Sequence, residues 1–250
     1  MSGLLCAGDL YIDRFDEDGN PTGLRQVGNA TRFEINEPSE SVQRGSNMRD
    51  SYGQLLSDVA IKQPSTIGIT LDDINKDNLA MALLGDTEAV DVTAGSVTDE
   101  EVLGYPGGRT ALANTNLDPE GTITVTDDGG TPTEFTEGTD YEVDHRLGHI
   151  IVLEGGGISA GDTLLVSYDF LARTGSKVSG GVRPQIRAKL VLDGRNLDNG
   201  KPIHVTVFEA SLRPDGAVNF LSSEFVQLTM TGNLKLVDGM DAPYIVDMLS

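Results

Sequence analysis

Two strand-rich, near-neutral ends separated by a strongly acidic middle block constrain this chain more than any other feature. Residues 1–85 and 176–250 show alternating strands, tight turns and one short helix, whereas residues 86–175 differ in composition and charge. Asp and Glu outnumber Lys and Arg 18 to 3 in the middle block, against 13 to 7 before it and 8 to 8 after it. The block therefore holds −15 of the net charge of −21. The pattern implies a discontinuous β-framework, residues 1–85 and 176–250, interrupted by an outward-facing acidic domain at 86–175.

In the first framework segment, Asp9–Phe15 reads as a strand, and Asp16-Glu17-Asp18-Gly19-Asn20-Pro21 as the turn that returns it through Leu24–Val27. Thr31–Ile35 alternates, with Phe33 and Ile35 on one face. Residues 37–62 are polar with weak periodicity and read as a long loop, which inside a compact domain is usually functional. Ile67, Ile69 and Leu71 mark the next strand. Asp72 and Asp73 are expected to open a helix reaching Leu84, because carboxylates satisfy free N–H groups at a helix start. Gly85 is expected at the position after its C-cap.

The middle block begins loosely. Thr122–Thr126, Tyr141–Val143, Ile150–Leu153 and Thr163–Tyr168 then read as short strands. Turn signals every eight to twelve residues or so suggest a small immunoglobulin-like β-sandwich. In the last segment Ile186, Ala188, Leu190 and Leu192 share one face and Gln185, Arg187 and Lys189 the other. Asp198-Asn199-Gly200 is a hairpin turn leading to Ile203, Val205 and Val207. After a turn at Pro214-Asp215-Gly216, Val226, Leu228 and Met230 alternate with Gln227, Thr229 and Thr231. The expected fold is mainly β, with one face of each framework strand buried and one wet.

Composition removes several classes. No apolar run approaches the ~18 residues of a membrane span, so no membrane insertion is expected. Met1–Leu10 lacks the basic start of a secretory signal. A single cysteine, Cys6, forbids an internal disulfide and fits a reducing compartment. A charge of −21 without a basic stripe opposes tight nucleic-acid binding.

Motifs that could carry chemistry read as turns. Gly157-Ile158-Ser159-Ala160-Gly161 matches the nucleophile-elbow spacing, but a strand follows where a helix is required. His145 and His149, with Asp144, suit a metal only on a helix, and Gly148 argues for a turn. Gly104–Thr110 has Arg109 where a phosphate loop needs lysine, and is one residue short. The Asp16–Asn20 cluster lacks a calcium-loop register. Asn29-Ala30-Thr31 is a sequon by pattern alone. No catalytic set, cofactor or metal is expected.

The framework resembles the major tail tube protein of long-tailed (siphovirus-type) bacteriophages. The resemblance rests on the order of its pieces. Gly28-Asn29 leads into an alternating strand with Glu34, Glu37 and Glu40, and a polar stretch with Asp50-Ser51-Tyr52-Gly53 follows. IGITLDDINKDNLAMALLG comes next (67–85), and LDGRNLDNGKPIHVTVFEASLRPDGAVNFLSSEFVQLTMTGNLKL last (192–236). About 160 of the 250 residues are covered, and the acidic insert departs from the minimal tube fold. The family implies a β-sandwich or half-barrel with one flanking helix. It also implies rings, typically hexameric, stacked into a tube that conducts DNA. A hexamer giving about four strands per subunit makes a barrel of about 24 strands. At about 4.8 Å spacing and about 40° tilt, its backbone diameter is about 48 Å.

On this resemblance the protein is a virion tail component made in the host cytoplasm. Its partners would be its own copies, a tape-measure protein, tail terminator and baseplate or distal tail proteins, and phage DNA passing without specific binding. The candidate contact between rings is the 37–62 segment, with Glu37, Glu40, Arg44, Arg49, Asp50, Tyr52 and Lys62. Candidate lumen-facing residues are Gln185, Arg187, Lys189, Gln227, Thr229 and Thr231. The competing class is a decoration or adhesion module binding glycan or receptor, although the chain has no Trp for an aromatic platform.

Overall fold

The computed structural model describes residues 3–248. Its first strands are β1 (Cys6–Arg14), β2 (Arg25–Gln26), β3 (Ala30–Asn36), β4 (Ser39–Gly45), β5 (Leu55–Lys62) and β6 (Thr66–Leu71), followed by helix α1 (Lys76–Ala82). Then come β7 (Asp86–Val92), β8 (Gly95–Leu103), β9 (Arg109–Ala111), β10 (Thr124–Asp127), β11 (Tyr141–Asp144), β12 (His149–Val152), β13 (Thr163–Phe170) and β14 (Arg173–Ser179). The last four are β15 (Ile186–Asn196), β16 (Pro202–Pro214), β17 (Leu228–Leu234) and β18 (Tyr244–Met248). The fold is mainly β with one helix. Two compact units form, residues 1–88 with 177–250, and residues 89–176. β7 and β14 pair as a two-stranded ribbon through which the chain leaves the first unit and returns to it.

The first unit is built on one sheet of order β2-β1-β15-β16-β17-β6-β3, with β18 added to β16. The alternation expected at Ile186–Leu192 and Leu228–Met230 places Ile186, Ala188, Leu190, Leu228 and Met230 in its core. Leu10, Ile12, Ile67, Ile69 and Leu71 join them, with Met81 and Ala82 of α1 closing the same core. β16 changes phase part-way. Val207, Ala210 and Leu212 are all buried, which a strict period of two forbids. A bulge resolves this, since Ala188 pairs with Ala210 but Leu190 with Val207.

Helix α1 starts later than expected. Its N-cap is Asn75, whose side-chain oxygen accepts from the N–H groups of Asp77 and Asn78, so Asp72 and Asp73 lie ahead of the helix. At the other end Leu84, not Gly85, takes the left-handed conformation, at φ 50°. Gly85 N–H reaches back to the Ala80 carbonyl (2.7 Å) and Leu84 N–H to that of Met81 (3.2 Å). This is the two-bond arrangement that commonly ends helices, shifted by one residue from the sequence expectation. Gly85 is needed for a different reason: a Cβ there would stand 2.4 Å from the Ser179 carbonyl oxygen.

In the second unit, sheets β10-β13-β8 and β11-β12-β9 enclose one core. Val125, Tyr141, Ile150, Val152, Leu164, Val166 and Tyr168 fill it, with Leu117 and Ile158 from connecting turns. It is a sandwich of six strands, one fewer than the smallest immunoglobulin arrangement. β7, β8 and β9 were not expected. In β8, Val97 and Val102 both pack on the core although they are an odd five positions apart. An irregularity opposite Val166/Tyr168 makes this possible, with Asp99 at φ 53°. The Asp99 N–H donates to the Ser167 hydroxyl, whose own proton goes to the Asp99 carboxylate.

Replacing Gly85 with Ala should destabilise the first unit by about 1–3 kcal/mol, because the methyl meets backbone rather than a movable side chain. Urea unfolding followed by tyrosine fluorescence checks this, and Gly175→Ala, where the added Cβ meets nothing within 4 Å, serves as the control.

Candidate functional site: an exposed hairpin and a polar sheet face

Residues 37–62 are not a loop. β4 and β5 pair from Ser39↔Lys62 to Gly45↔Leu55 as a two-stranded sheet of their own. Every residue of both strands is exposed. Strand alternation puts Val42, Val59 and Ile61 on one face of the hairpin, together with Glu40, Arg44 and Ser57. The three apolar side chains are 52%, 56% and 46% exposed. Ser39, Ser41, Gln43, Asp58 and Lys62 lie on the other face, where the Ser41 hydroxyl donates to the Asp58 carboxylate. An irregularity at Arg44/Gly45 leaves Leu56 unopposed, and Leu55 and Leu56 are both exposed. Val42, Val59 and Ile61 thus form an exposed apolar patch between Glu40 and Arg44.

The tip, Ser46–Gln54, is internally braced. Ser46 N–H donates to the Gln54 carbonyl (2.8 Å), Gly53 N–H to that of Ser46 (2.8 Å), and the Ser46 and Ser51 hydroxyls share a hydrogen bond of 2.7 Å. Met48 and Tyr52 project from it, 64% and 77% exposed.

The seven residues expected to make one contact fall into separate places. Arg49, Asp50 and Tyr52 sit on the tip, and Arg44 stands near it at the end of β4. Glu37, Glu40 and Lys62 are at the root, about 20–25 Å away at the rise of an extended strand. Glu40 accepts from the Gln63 side chain (2.9 Å). Glu37 is tied back to the first unit by Ser65 and Tyr244. The hydrogen bond from Ser65, with a smaller contribution from Tyr244, holds its carboxyl below the usual range despite slight desolvation. The expectation that missed most was the apolar set. Val59 and Ile61 already alternate in the sequence, but Ser-Glu-Ser-Val-Gln-Arg-Gly reads as polar loop unless its partner strand is known.

Of the expected wet-face residues, Arg187, Lys189, Thr229 and Thr231 lie on the side of the sheet away from the core, each half-buried. Gln185 and Gln227 precede β15 and β17 and are exposed outside both strands. β16 runs between β15 and β17, so the two sets are not adjacent. Arg187 is also not free. Its Nε donates to buried Glu209 at 2.9 Å, and its guanidinium lies 5.9 Å from the centre of the Phe15 ring. Lys235 approaches Glu209 at 3.3 Å. Burial alone would push the Glu209 carboxyl up, but hydrogen bonds from Arg187 and Lys235 outweigh it and hold it below the ordinary value. Thr231 donates to the Ile67 carbonyl (3.3 Å), and the Thr229 and Thr70 hydroxyls lie 3.5 Å apart. The β17–β6 part of the face is therefore uncharged and largely self-satisfied.

The turns flagged for chemistry act as turns. Ser159 N–H donates to the Asp162 carboxylate (2.7 Å) ahead of β13. His149 lies in β12 and His145 in the turn before it, and both Nδ1 atoms are buried without a hydrogen-bond partner. Arg109 contacts Asp144 at 3.3 Å. Asp16 accepts from the backbone and side chain of Asn20. The Asn29 side chain donates to both oxygens of Asp72. Among the described residues no group of three or more His, Cys, Asp or Glu is placed to hold a metal ion.

A family profile matches residues 4–239, which takes in most of both units. The chain belongs to that family. It is described as "Protein of unknown function UCP028589", so membership assigns no activity. No curated protein matches the chain.

Glu209 ties stability to acid. Its carboxyl sits below its ordinary value in the folded state, so the unfolded chain binds the proton more readily. Its contribution is full above the ordinary glutamate range and is lost as pH falls through the lower folded value. Replacing Glu209 with Gln should flatten the fall in first-unit stability between about pH 5 and about pH 3. It should also lower stability at neutral pH by about 1–2 kcal/mol, because the charge-assisted hydrogen bonds are lost while Arg187 and Lys235, 37% and 57% exposed, regain water. Urea titrations across that range measure both.

Proposed function

We propose that the protein is a structural virion protein whose copies assemble into stacked rings, forming the tail tube of a long-tailed bacteriophage. The observation that carries this reading is the β4–β5 hairpin. A two-stranded ribbon with no core of its own is marginal in water, and this one offers solvent an apolar patch of Val42, Val59 and Ile61, flanked on the same face by Glu40 and Arg44. Covering Val42, Val59 and Ile61 against a neighbouring copy is worth about 1 kcal/mol each. In this assignment the hairpin is the arm that joins successive rings through its Val42–Val59–Ile61 patch, with Glu40 and Arg44 at the rim of the same face.

The sheet supports lateral assembly. β3 and β18 each have one unpaired edge, and β18 carries the exposed residues Ile245, Val246 and Met248. Long open edges of this kind are hazards unless another strand covers them, and ring closure does so without leaving an end. The polar side of the sheet, where the threonines of β17 and β6 are uncharged and Glu209 offsets one of the two charges of Arg187 and Lys235, would line a channel for the passing phosphate chain. A tape-measure protein, then DNA, would occupy that channel. Terminator and distal tail proteins would cap the tube.

Electron microscopy of the purified protein over a concentration series tests the reading. Hollow rings or tubes are expected for the intact chain. The triple variant Val42→Ser, Val59→Ser, Ile61→Ser should keep the monomer's stability within about 0.5 kcal/mol, as substitutions at exposed sites do, while tube length collapses. A variant that still forms long tubes removes the hairpin from the assembly, and uniform monomers from the intact chain at every concentration defeat the whole assignment.

A further inference from the structure

The connection from β16 to β17 presents a second apolar feature. Val218 and Val226 pack against the first unit's core and pin its two ends. Between them stand Phe220, Leu221 and Phe225, exposed by 70%, 94% and 98%. The segment has a defined local form, since Asn219 accepts from the Leu221 N–H and Ser222 from the Glu224 N–H, both at 3.0 Å. This connection and the β4–β5 hairpin lie at opposite ends of the same strands. The hairpin leaves where Asn36 of β3 and Asn233 of β17 flank Thr66 of β6. The connection enters β17 at the other end, where Ala30 and Leu228 flank Leu71. The two ends of β6 are about 17 Å apart at the rise of a strand.

Charge and area both bear on how the two features could meet. Of the rim charges beside Val42, Val59 and Ile61, Glu40 is engaged by the Gln63 side chain, whereas Arg44 has no acid paired with it among the described residues. The tip's own charges, Arg49 and Asp50, cancel. On the connection, Asp215 already lies by Arg32. The Glu224 carboxylate has no partner among the described residues; only its N–H is engaged, by Ser222. A carboxylate placed on Arg44 would stand about 13 Å along the strand from Glu40, beyond the screening length of about 10 Å at 0.1 M salt. The open apolar area of the two features together is on the order of 700 Å². That is less than the roughly 1,200 Å² of a pair that is stable alone, and suits a contact repeated through an assembly.

We infer that the Val42–Val59–Ile61 patch of one copy seats against Phe220, Leu221 and Phe225 of the next copy, with Arg44 meeting Glu224. Hairpin and receiving connection sit at opposite ends of one unit, so the contact is heterologous and propagates head to tail rather than closing as a two-fold dimer. It rests on the proposal that the hairpin joins successive rings, and names the surface that receives it.

Charge exchange in the full chain tests it. Arg44→Glu and Glu224→Arg should each raise the concentration needed for assembly by about tenfold or more, because each sets like charges against one another, without altering the circular dichroism spectrum. Combining the two should return that concentration to within about threefold of the parent, as a direct pair requires. Single variants that assemble like the parent, or losses that the double variant does not recover, overturn this inference and leave the tube assignment standing. As a second measurement in a Cys6→Ser background, copies carrying Ser57→Cys, on the patch face, are mixed with differently tagged copies carrying Ser223→Cys. A short bis-maleimide should join the mixed pair at least about tenfold more than copies of either variant alone, the margin expected of a specific contact. A dominant product from Ser57→Cys copies alone identifies a two-fold pairing of hairpins and overturns the contact. An intact chain that stays monomeric at every concentration overturns both this contact and the tube assignment.

Discussion

β16 serves two partners on one edge. Residues 210–214 pair with β17 and residues 203–207 with β18, while β15 covers the opposite edge throughout. The bulge at Phe208 and Glu209 falls between the two stretches, where the strand must turn its pleat to meet both. Glu209 stands at this junction with its backbone carbonyl taken by the Lys235 N–H, and Phe208 N–H donates to the Pro243 carbonyl. The carboxylate is buried but balanced by Arg187 and Lys235, so the strand exchange and the only strongly neutralised buried acid of this face, among the described residues, coincide. Removing the bulge would reverse which side of one half of β16 faces the core, and with it the attachment of one neighbour.

The energetic imbalance of the first unit lies outside that sheet. Its core is buried, yet the hairpin, the β16–β17 connection and the β18 edge each leave large apolar side chains in water. Scattered exposed leucines are ordinary on protein surfaces, but contiguous ones on braced elements mark contact surfaces. Rigid bracing matters because an arm that is already ordered loses less entropy when a partner covers it. The tip hydrogen bonds around Ser46 and Ser51, and the side-chain caps at Asn219 and Ser222, supply this order in advance.

Much of the fold was legible where one period governed a whole strand. Ile186–Leu192 and Leu228–Met230 read correctly because each buries every second residue. The acidic block at 86–175 was read from its composition and charge, and the second compact unit spans residues 89–176. Legibility failed where a local device broke the period. Val97 and Val102 of β8 point inward only because Asp99 is turned back on Ser167. Ala210 and Leu212 follow Val207 out of phase because of the bulge. Leu84 stands where glycine was expected, since backbone crowding at Ser179 fixes glycine one position later. The candidate site failed for a different reason. A hairpin with no core gives no buried alternation to detect, so its apolar residues looked incidental and its charges looked important.

The β7–β14 ribbon bears on how the first unit reaches its native pairing. β1 must find β15 across most of the chain, and closure of so long a loop is slow when the intervening residues are unstructured. Once the second unit has folded and the ribbon has zipped, residues 86 and 179 are held close together. For the remaining search the whole acidic module then counts as little more than one tight turn. The effective separation of β1 from β15 then shrinks accordingly. A module tethered in this way is also kinetically exchangeable, because any domain with adjacent termini would shorten the search to the same degree.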